Sequence, residues 1–197
     1  MNKITRTSIA LLAAAALALA AAPAHANGGG SPSGNIVDVA VAASGGGTAD
    51  NNPWDYDILV QAVLATGLAP VLSDPGATFT VFAPNDRAFM RTVQDLTGTA
   101  PASEADALAT ITSAFTLDQI KNVLLYHVVA GKKLGPVGVL TAHPLTMANG
   151  GKVWPRGINL RDETPSVADP RLVLWKINIQ ASNGVIHTID RVLLPAS

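Results

Sequence analysis

The chain has 197 residues and no cysteine; 48% of its residues are hydrophobic, 14% are charged, and the formal net charge is −1. Without cysteine it can form neither a disulfide nor a thiolate metal site. A net charge so close to zero gives no electrostatic reason to expect a nucleic acid or an anionic membrane surface as partner.

The first 26 residues have the pattern of a signal peptide. Lys3 and Arg6 precede an Ala-rich apolar run at 9–22, and the tripeptide Ala-His-Ala at 24–26 is a small-x-small cleavage sequence. Cleavage after Ala26 would leave 171 residues (197 minus 26) with 11 cations and 14 acids, a formal charge of −3. The run is short for a membrane span. We expect a secreted, extracellular or cell-wall-associated protein with no stable membrane span after cleavage.

Residues 27–34 are rich in Gly, Ser and Pro and predict a flexible leader, so we place one domain at 35–197. Residues 36–41 are apolar, and their pattern fits a short helix or a strand. Asn52 followed by Pro53 and Asp55 predicts the start of a helix, with Asn52 as its N-cap, which ends at Gly67. A short helical turn is predicted at 68–72.

The stretch 78–89 predicts a strand that runs directly into a helix. Phe79 and Val81 alternate with threonines, the pattern of a strand with one buried face. Pro84 has no N–H to donate and should end the ladder. Asn85 can cap the following helix, and Phe89 should turn that helix toward the core.

Two capping patterns predict the next helices. Ser103 has Asp106 three residues later, and Thr116 has Gln119 three residues later. In the second helix His127 shares one face with the apolar residues of the segment, which predicts that it lies at least partly in the core.

From residue 131 onward the pattern changes to strands and turns. Candidate strands are 137–140, 145–147, 152–154 and 171–180, with a hairpin turn at 148–151 and an irregular loop at 165–170. Asn183-Gly184 predicts a type I′ turn, which needs positive φ at both positions, before an apolar strand. Helices come first and strands mostly later, so the sequence predicts an α+β fold.

Three segments together resemble the fasciclin domain family: 78–89, the pair Tyr126-His127, and 183–195. They are similar to the two signature boxes and the central Tyr-His pair of that family, and the resemblance covers about residues 35–195. It implies a wedge-shaped β-sandwich with helices packed along one side, in a single-domain secreted protein of bacterial type. The box residues are Phe79, Phe82, Pro84, Asn85, Phe89, Asn183, Gly184, His187, Asp190 and Pro195.

The sequence predicts no catalytic, metal or cofactor site. The four histidines are scattered, and none has a histidine three or four residues later. His187 and Asp190 are three apart on a predicted strand and should face opposite sides. Asp162 and Glu163 fall in a loop that is most simply a solvated turn, and no Gly-x-Ser-x-Gly occurs. We therefore expect a protein that is not an enzyme.

Two binding functions remain. The resemblance implies adhesion to a cell-surface protein or polysaccharide. In animal members the Tyr-His region and an Asp-Ile pair are integrin-recognition elements; this chain keeps Tyr126 and His127 but has Asn178-Ile179, which lacks the carboxylate. For Tyr126 and His127, core packing is favoured over ligand contact. The alternative is a carrier of an apolar small molecule, a lipid or pigment, in a groove between sheet and helices, which the resemblance also implies.

Overall fold

The computed structural model describes residues 34–50 and 52–196. The predicted signal peptide lies outside the described residues, as does the predicted leader except Gly34. The helices are α1 (Ile36–Ala43), α2 (Asp57–Ala65), α3 (Ala69–Leu72), α4 (Asp86–Thr97), α5 (Glu104–Ala114), α6 (Leu117–Leu125) and α7 (Pro136–Thr141), with a 3-10 turn at Leu174–Lys176. The strands are β1 (Phe79–Pro84), β2 (Val128–Ala130), β3 (Leu145–Thr146), β4 (Lys152–Arg156), β5 (Asn159–Arg161), β6 (Ile179–Ala181) and β7 (Gly184–Ile189).

The strands form two sheets, and the α+β prediction is confirmed. One sheet has the order β2-β1-β7-β6, in which β1 and β7 are parallel and the outer pairs are antiparallel. The other is antiparallel with the order β3-β4-β5. The two signature boxes therefore lie side by side as the central strands of the larger sheet.

Two apolar cores cover the two faces of that sheet. Phe79 and Val81 of β1 pack with residues of α1, α2, α4 and α6. Phe82 packs into a second cluster with Val153 of β4 and Leu160 of β5, which is the interior of the sandwich. Every residue of β1 is buried. The prediction of one buried face was wrong because β1 is a central strand with a layer on each side.

The turn between β6 and β7 differs from the predicted one. Ala181 pairs with Gly184, so the turn residues are Ser182 and Asn183. Positive φ is found at neither Asn183 nor Gly184, and the type I′ prediction was wrong. Gly184 is needed for another reason: a Cβ there would collide with the carbonyl oxygen of Phe79 and the Ile36 side chain.

Asn183 is a buried hydrogen-bond hub. Its Oδ1 accepts from the Ile36 amide at 2.9 Å, and its Nδ2 donates to the carbonyls of Leu72 at 2.8 Å and Asp74 at 3.2 Å. It thereby links α1 and the end of α3 to the larger sheet.

The predicted cap of α2 was also wrong. The helix begins at Asp57 instead of Pro53, and its N-cap Tyr56 makes no side-chain capping bond. The carboxylate of Asp86 replaces the cap, accepting from the amides of Asp57 at 3.1 Å and Ile58 at 2.8 Å. A residue distant in sequence thus satisfies the free N–H groups of this helix end, which local spacing cannot reveal.

Other local predictions had mixed outcomes. Asn85, Ser103 and Thr116 cap α4, α5 and α6 as expected, with a full capping box at Thr116. Residues 36–41 belong to a helix. The strand predicted at 137–140 is the helix α7, for which Pro136 supplies the first position. Of the strand predicted at 171–180, only its last two residues are in β6. No helix in the described ranges has the length and apolar character that a membrane crossing requires.

Candidate functional site

Tyr126 and His127 lie in the interior, between α6 and β2. Tyr126 is 0% exposed and His127 is 2% exposed. The Tyr126 hydroxyl donates to the Lys152 carbonyl at 2.6 Å and accepts from the Glu163 amide at 3.2 Å, which fixes α6 to the smaller sheet. This burial fits the core-packing interpretation, and His127 also lines the apolar groove described below.

The imidazole of His127 is bonded at both nitrogens. Nδ1 lies 2.7 Å from the Val123 carbonyl and therefore donates, while Nε2 accepts from the Leu193 amide at 2.9 Å. This arrangement requires the neutral ring. Burial lowers the pKa of His127 to about 4.

His187, the histidine of the second signature box, also has a structural role. His187 is buried; its Nε2 donates to the Leu134 carbonyl at 2.8 Å and its Nδ1 accepts from the Asn178 amide at 3.3 Å. Asp190 instead accepts from the Arg171 amide at 2.7 Å. His187 and Asp190 thus have different hydrogen-bond partners, which agrees with the prediction that they face opposite sides of the strand.

The other box residues support the fold. Phe82, Asn85 and Phe89 are buried, and the carbonyl of Pro195 accepts from the Thr164 hydroxyl at 2.9 Å. Pro84 is the last residue of β1, opposite Ile189.

Asp162 does not belong to a solvated turn. It is 7% exposed, and its carboxylate accepts from the amides of Thr164 and Leu194, both at 2.9 Å. The sequence-based interpretation was wrong because the C-terminal segment covers this side chain.

Asn178 and Ile179 lie at the surface end of β6. Asn178 is exposed and has a φ of 58°. Its Oδ1 accepts from the Gln180 side chain at 2.9 Å, and Ile179 is half-buried opposite Ile186. A role of this pair in binding stays a prediction.

A second surface feature was not predicted from the sequence. Trp54, Leu174 and Trp175 are 39%, 59% and 68% exposed, and we call them the tryptophan surface. The two indole rings meet edge to face with centroids 5.7 Å apart. The Arg87 guanidinium lies 4.8 Å from the Trp54 ring centre, and the Lys176 amine donates to the Trp54 carbonyl at 2.6 Å. The signal available in the sequence was the rarity of Trp, with three in the chain.

An apolar groove lies among α2, α4, α5 and α6, with a volume of about 470 Å³. Phe89, Val93 and Val123 are among its lining residues, and Phe115 and Leu117, 40% and 57% exposed, also line it. A smaller cavity of about 40 Å³ lies between the larger sheet and α1 and α2, and its lining includes Val37, Leu59 and Val63. A groove that carries an apolar molecule stays a prediction.

These features define a class before any relative is considered: a helix-covered β-sandwich in which Tyr126, His127 and His187 are buried and hydrogen-bonded, with an apolar groove and an exposed tryptophan surface. A family model described as the fasciclin domain matches residues 55–195. The chain belongs to the fasciclin domain family.

Similar proteins support this membership. An uncharacterized Synechocystis protein, sll1735, is 32% identical over 81% of this chain and 97% of its own length. A second Synechocystis protein, sll1483, is 34% identical over 71% of this chain and 67% of its own length. Transforming growth factor-beta-induced protein ig-h3 from Sus scrofa is 28% identical over 83% of this chain, which spans only 20% of that protein.

A solved structure shares the fold. The FAS1 domain pair from the insect cell adhesion molecule Fasciclin I matches with a TM-score of 0.55 over 83% of this chain and 51% of that chain. The sequence identity is 14%, so the similarity shows the fold alone. The fasciclin domain family is known in adhesion proteins, which supports an interaction module as the general function.

Proposed function

We propose that the protein is a non-catalytic adhesion module, secreted or held at the cell wall, which binds a cell-surface protein or polysaccharide through the tryptophan surface. The observation that supports this is the pair Trp54 and Trp175, both exposed and in contact although 121 positions apart (175 minus 54). Exposed Trp next to Arg is the composition of binding hot spots. Tyr126 and His127, the residues carried over from the family, are buried.

The test replaces Trp175 with Ala. Trp175 is 68% exposed, so its removal should leave the free energy of unfolding within about 0.5 kcal/mol. Adhesion to native cells or to their isolated polysaccharide should fall at least about tenfold, the loss of one hot-spot residue. The control is Val137→Ala, because Val137 is 72% exposed and lies on α7. Undiminished adhesion of Trp175→Ala would place the contact elsewhere.

A second candidate function is a carrier of an apolar small molecule, a lipid or pigment, and the groove supports it. Its volume of about 470 Å³ lies in the range of small-molecule sites, and its lining is nearly all apolar. Ile111→Trp should fill the groove and abolish binding of a fluorescent fatty acid, while Val137→Trp should leave binding unchanged. Protein isolated from its source without colour or extractable lipid, and without fatty-acid binding, would exclude the carrier function.

A further inference from the structure

Five carboxylates meet where the segment before α2 contacts the starts of α4 and α5. Oxygens of Asp50, Asp55 and Asp57 all lie within 4.8 Å of one another, and the same is true of oxygens of Asp55, Asp86 and Glu104. Asp50 is exposed and the other four are buried. Asp55 belongs to both groups and joins them.

Two members of this cluster, Asp86 and Glu104, accept hydrogen bonds from backbone amides. Both oxygens of Asp86 accept from the first turn of α2, and Glu104 accepts from the Asp50 amide at 3.1 Å. Backbone hydrogen bonds therefore fix the positions of the Asp86 and Glu104 carboxylates.

Asp55 and Asp57 have carboxylate oxygens with no hydrogen-bond partner among the described residues. Asp57 is 0% exposed, and within the described residues neither of its carboxylate oxygens has a hydrogen-bond partner. The same holds for Oδ1 of Asp55, which is 4% exposed, although its Oδ2 accepts from Asn52 at 2.9 Å. A buried carboxylate that is neither paired nor coordinated is strongly unfavourable, so these three oxygens point to a ligand.

No salt bridge in the described part of the chain reaches this cluster. The salt bridges among the described residues involve only the acids Asp95 and Asp190. The Lys176 amine interacts electrostatically with Asp55 and Asp86, but it donates to the Trp54 carbonyl, lies 4.3 Å from the Tyr56 ring centre and forms no salt bridge with either acid.

We propose that Asp50, Asp55 and Asp57 bind a divalent cation, with Ca²⁺ as the best match. The buried acids Asp86 and Glu104 bound the site on its interior side. All available donors are oxygens, which hard cations prefer. A spacing of up to 4.8 Å between oxygens fits ligands on a common ion at about 2.3–2.6 Å. Ca²⁺ tolerates such an irregular donor set better than Mg²⁺, which demands near-ideal octahedral geometry. The exposed Asp50 provides the entry side.

Cation binding would fix the segment that carries Trp54. That residue directly precedes Asp55, and its neighbours Pro53 and Asp55 accept backbone hydrogen bonds from Arg87 and Asp86 at the start of α4. The cation site does not depend on what the tryptophan surface binds.

The first experiment measures Ca²⁺ binding to the domain after removal of bound metal with EDTA. Calorimetric titration with calcium chloride should give one site per chain, and Ca²⁺ at about 100 times its Kd should raise the Tm by about 5–10 °C. Magnesium chloride should give a smaller shift. No heat and no change in Tm would overturn the proposal.

Two variants place the site. Asp55→Asn and Asp57→Asn should each melt higher than the wild type in EDTA, since they remove charge repulsion, and should lose at least about nine-tenths of the Ca²⁺-dependent shift in Tm. The matched control is Asp118→Asn, an exposed acid of α6 outside both groups, which should keep the full shift. A shift that persists in Asp57→Asn would place the ion elsewhere and contradict the assignment.

A readout on the wild-type chain makes the result independent of variant folding. Tb³⁺ occupies oxygen-ligand sites and emits when a nearby indole transfers its excitation energy, and Trp54 is the residue next to Asp55. Terbium chloride should give sensitised emission that calcium chloride displaces. Absence of emission, or emission that Ca²⁺ does not displace, would contradict the proposal.

Discussion

At the residue scale, side chains of the two signature boxes stabilise the fold because they are buried. Phe82 is 0% exposed and lies in the interior between the two sheets. Phe82→Ala should lower the free energy of unfolding by about 3–5 kcal/mol, because it removes a ring and leaves a cavity. Urea unfolding measures this, with Val137→Ala as the exposed control. A loss below about 1 kcal/mol would mean that the cluster collapses around the substitution.

His127 predicts a pH dependence of stability. Its pKa falls from 6.5 to about 4 on folding, so between these values the unfolded chain binds more protons than the folded one. Its contribution to stability is therefore complete above pH 6.5 and decreases as the pH falls toward 4, by up to about 1.4 kcal/mol per pH unit.

The comparison with His127→Gln isolates this contribution. Gln does not titrate, and its amide can both donate and accept, as the neutral His127 ring does toward Val123 and Leu193. Burial also raises the pKa of Asp86, but that carboxyl is present in both proteins and its effect cancels in the comparison. The stability advantage of the wild type over the variant should shrink between pH 6.5 and pH 4 in urea unfolding. A constant difference would show that folding does not lower the pKa of His127.

At the element scale, the β6–β7 turn is held by side-chain bonds and not by backbone conformation. Asn183→Gly distinguishes the two explanations. Gly would suit a positive-φ turn, but here it removes three hydrogen bonds and leaves the Ile36 amide and the Leu72 carbonyl unpaired. We expect a loss of at least about 2 kcal/mol in the free energy of unfolding. Chemical denaturation decides, and an unchanged midpoint would support the turn explanation.

Sequence patterns predicted the elements that are stabilised locally. Asn85, Ser103 and Thr116 each cap a helix with an amide three residues away, so short spacing contained the information. The start of α2 was missed because its cap, Asp86, lies 29 positions later than Asp57. The helix α7 was missed because its four central residues are compatible with a strand.

The tryptophan surface and the carboxylate cluster could not be predicted from the sequence for the same reason. The tryptophan surface joins residues 54 and 175, and the carboxylate cluster joins residues spread from 50 to 104, so both exist only in the folded chain. Burial of Tyr126 and His127 was accessible because the apolar face of α6 indicated it.

At the scale of the whole molecule, the N-terminal pattern predicts export with cleavage after Ala26. The charged start, the apolar middle and the Ala-His-Ala end are those of a signal peptide. Intact-mass measurement on protein recovered outside the cell should show a chain that begins at Asn27. Recovery of a chain that still carries residues 1–26 would contradict the prediction.

The parallel pairing of β1 with β7 determines when the domain can fold. Val81 pairs with Ile186, a separation of 105 positions (186 minus 81), so the centre of the larger sheet closes a very long loop. Folds that depend on distant pairings fold slowly, because the chain loses entropy before those contacts form. Under the predicted export, β1 would remain without its parallel neighbour until residues 184–189 have emerged from the membrane. The larger sheet would therefore form only after most of the described domain has crossed, which suits the passage of an unfolded chain through a narrow channel.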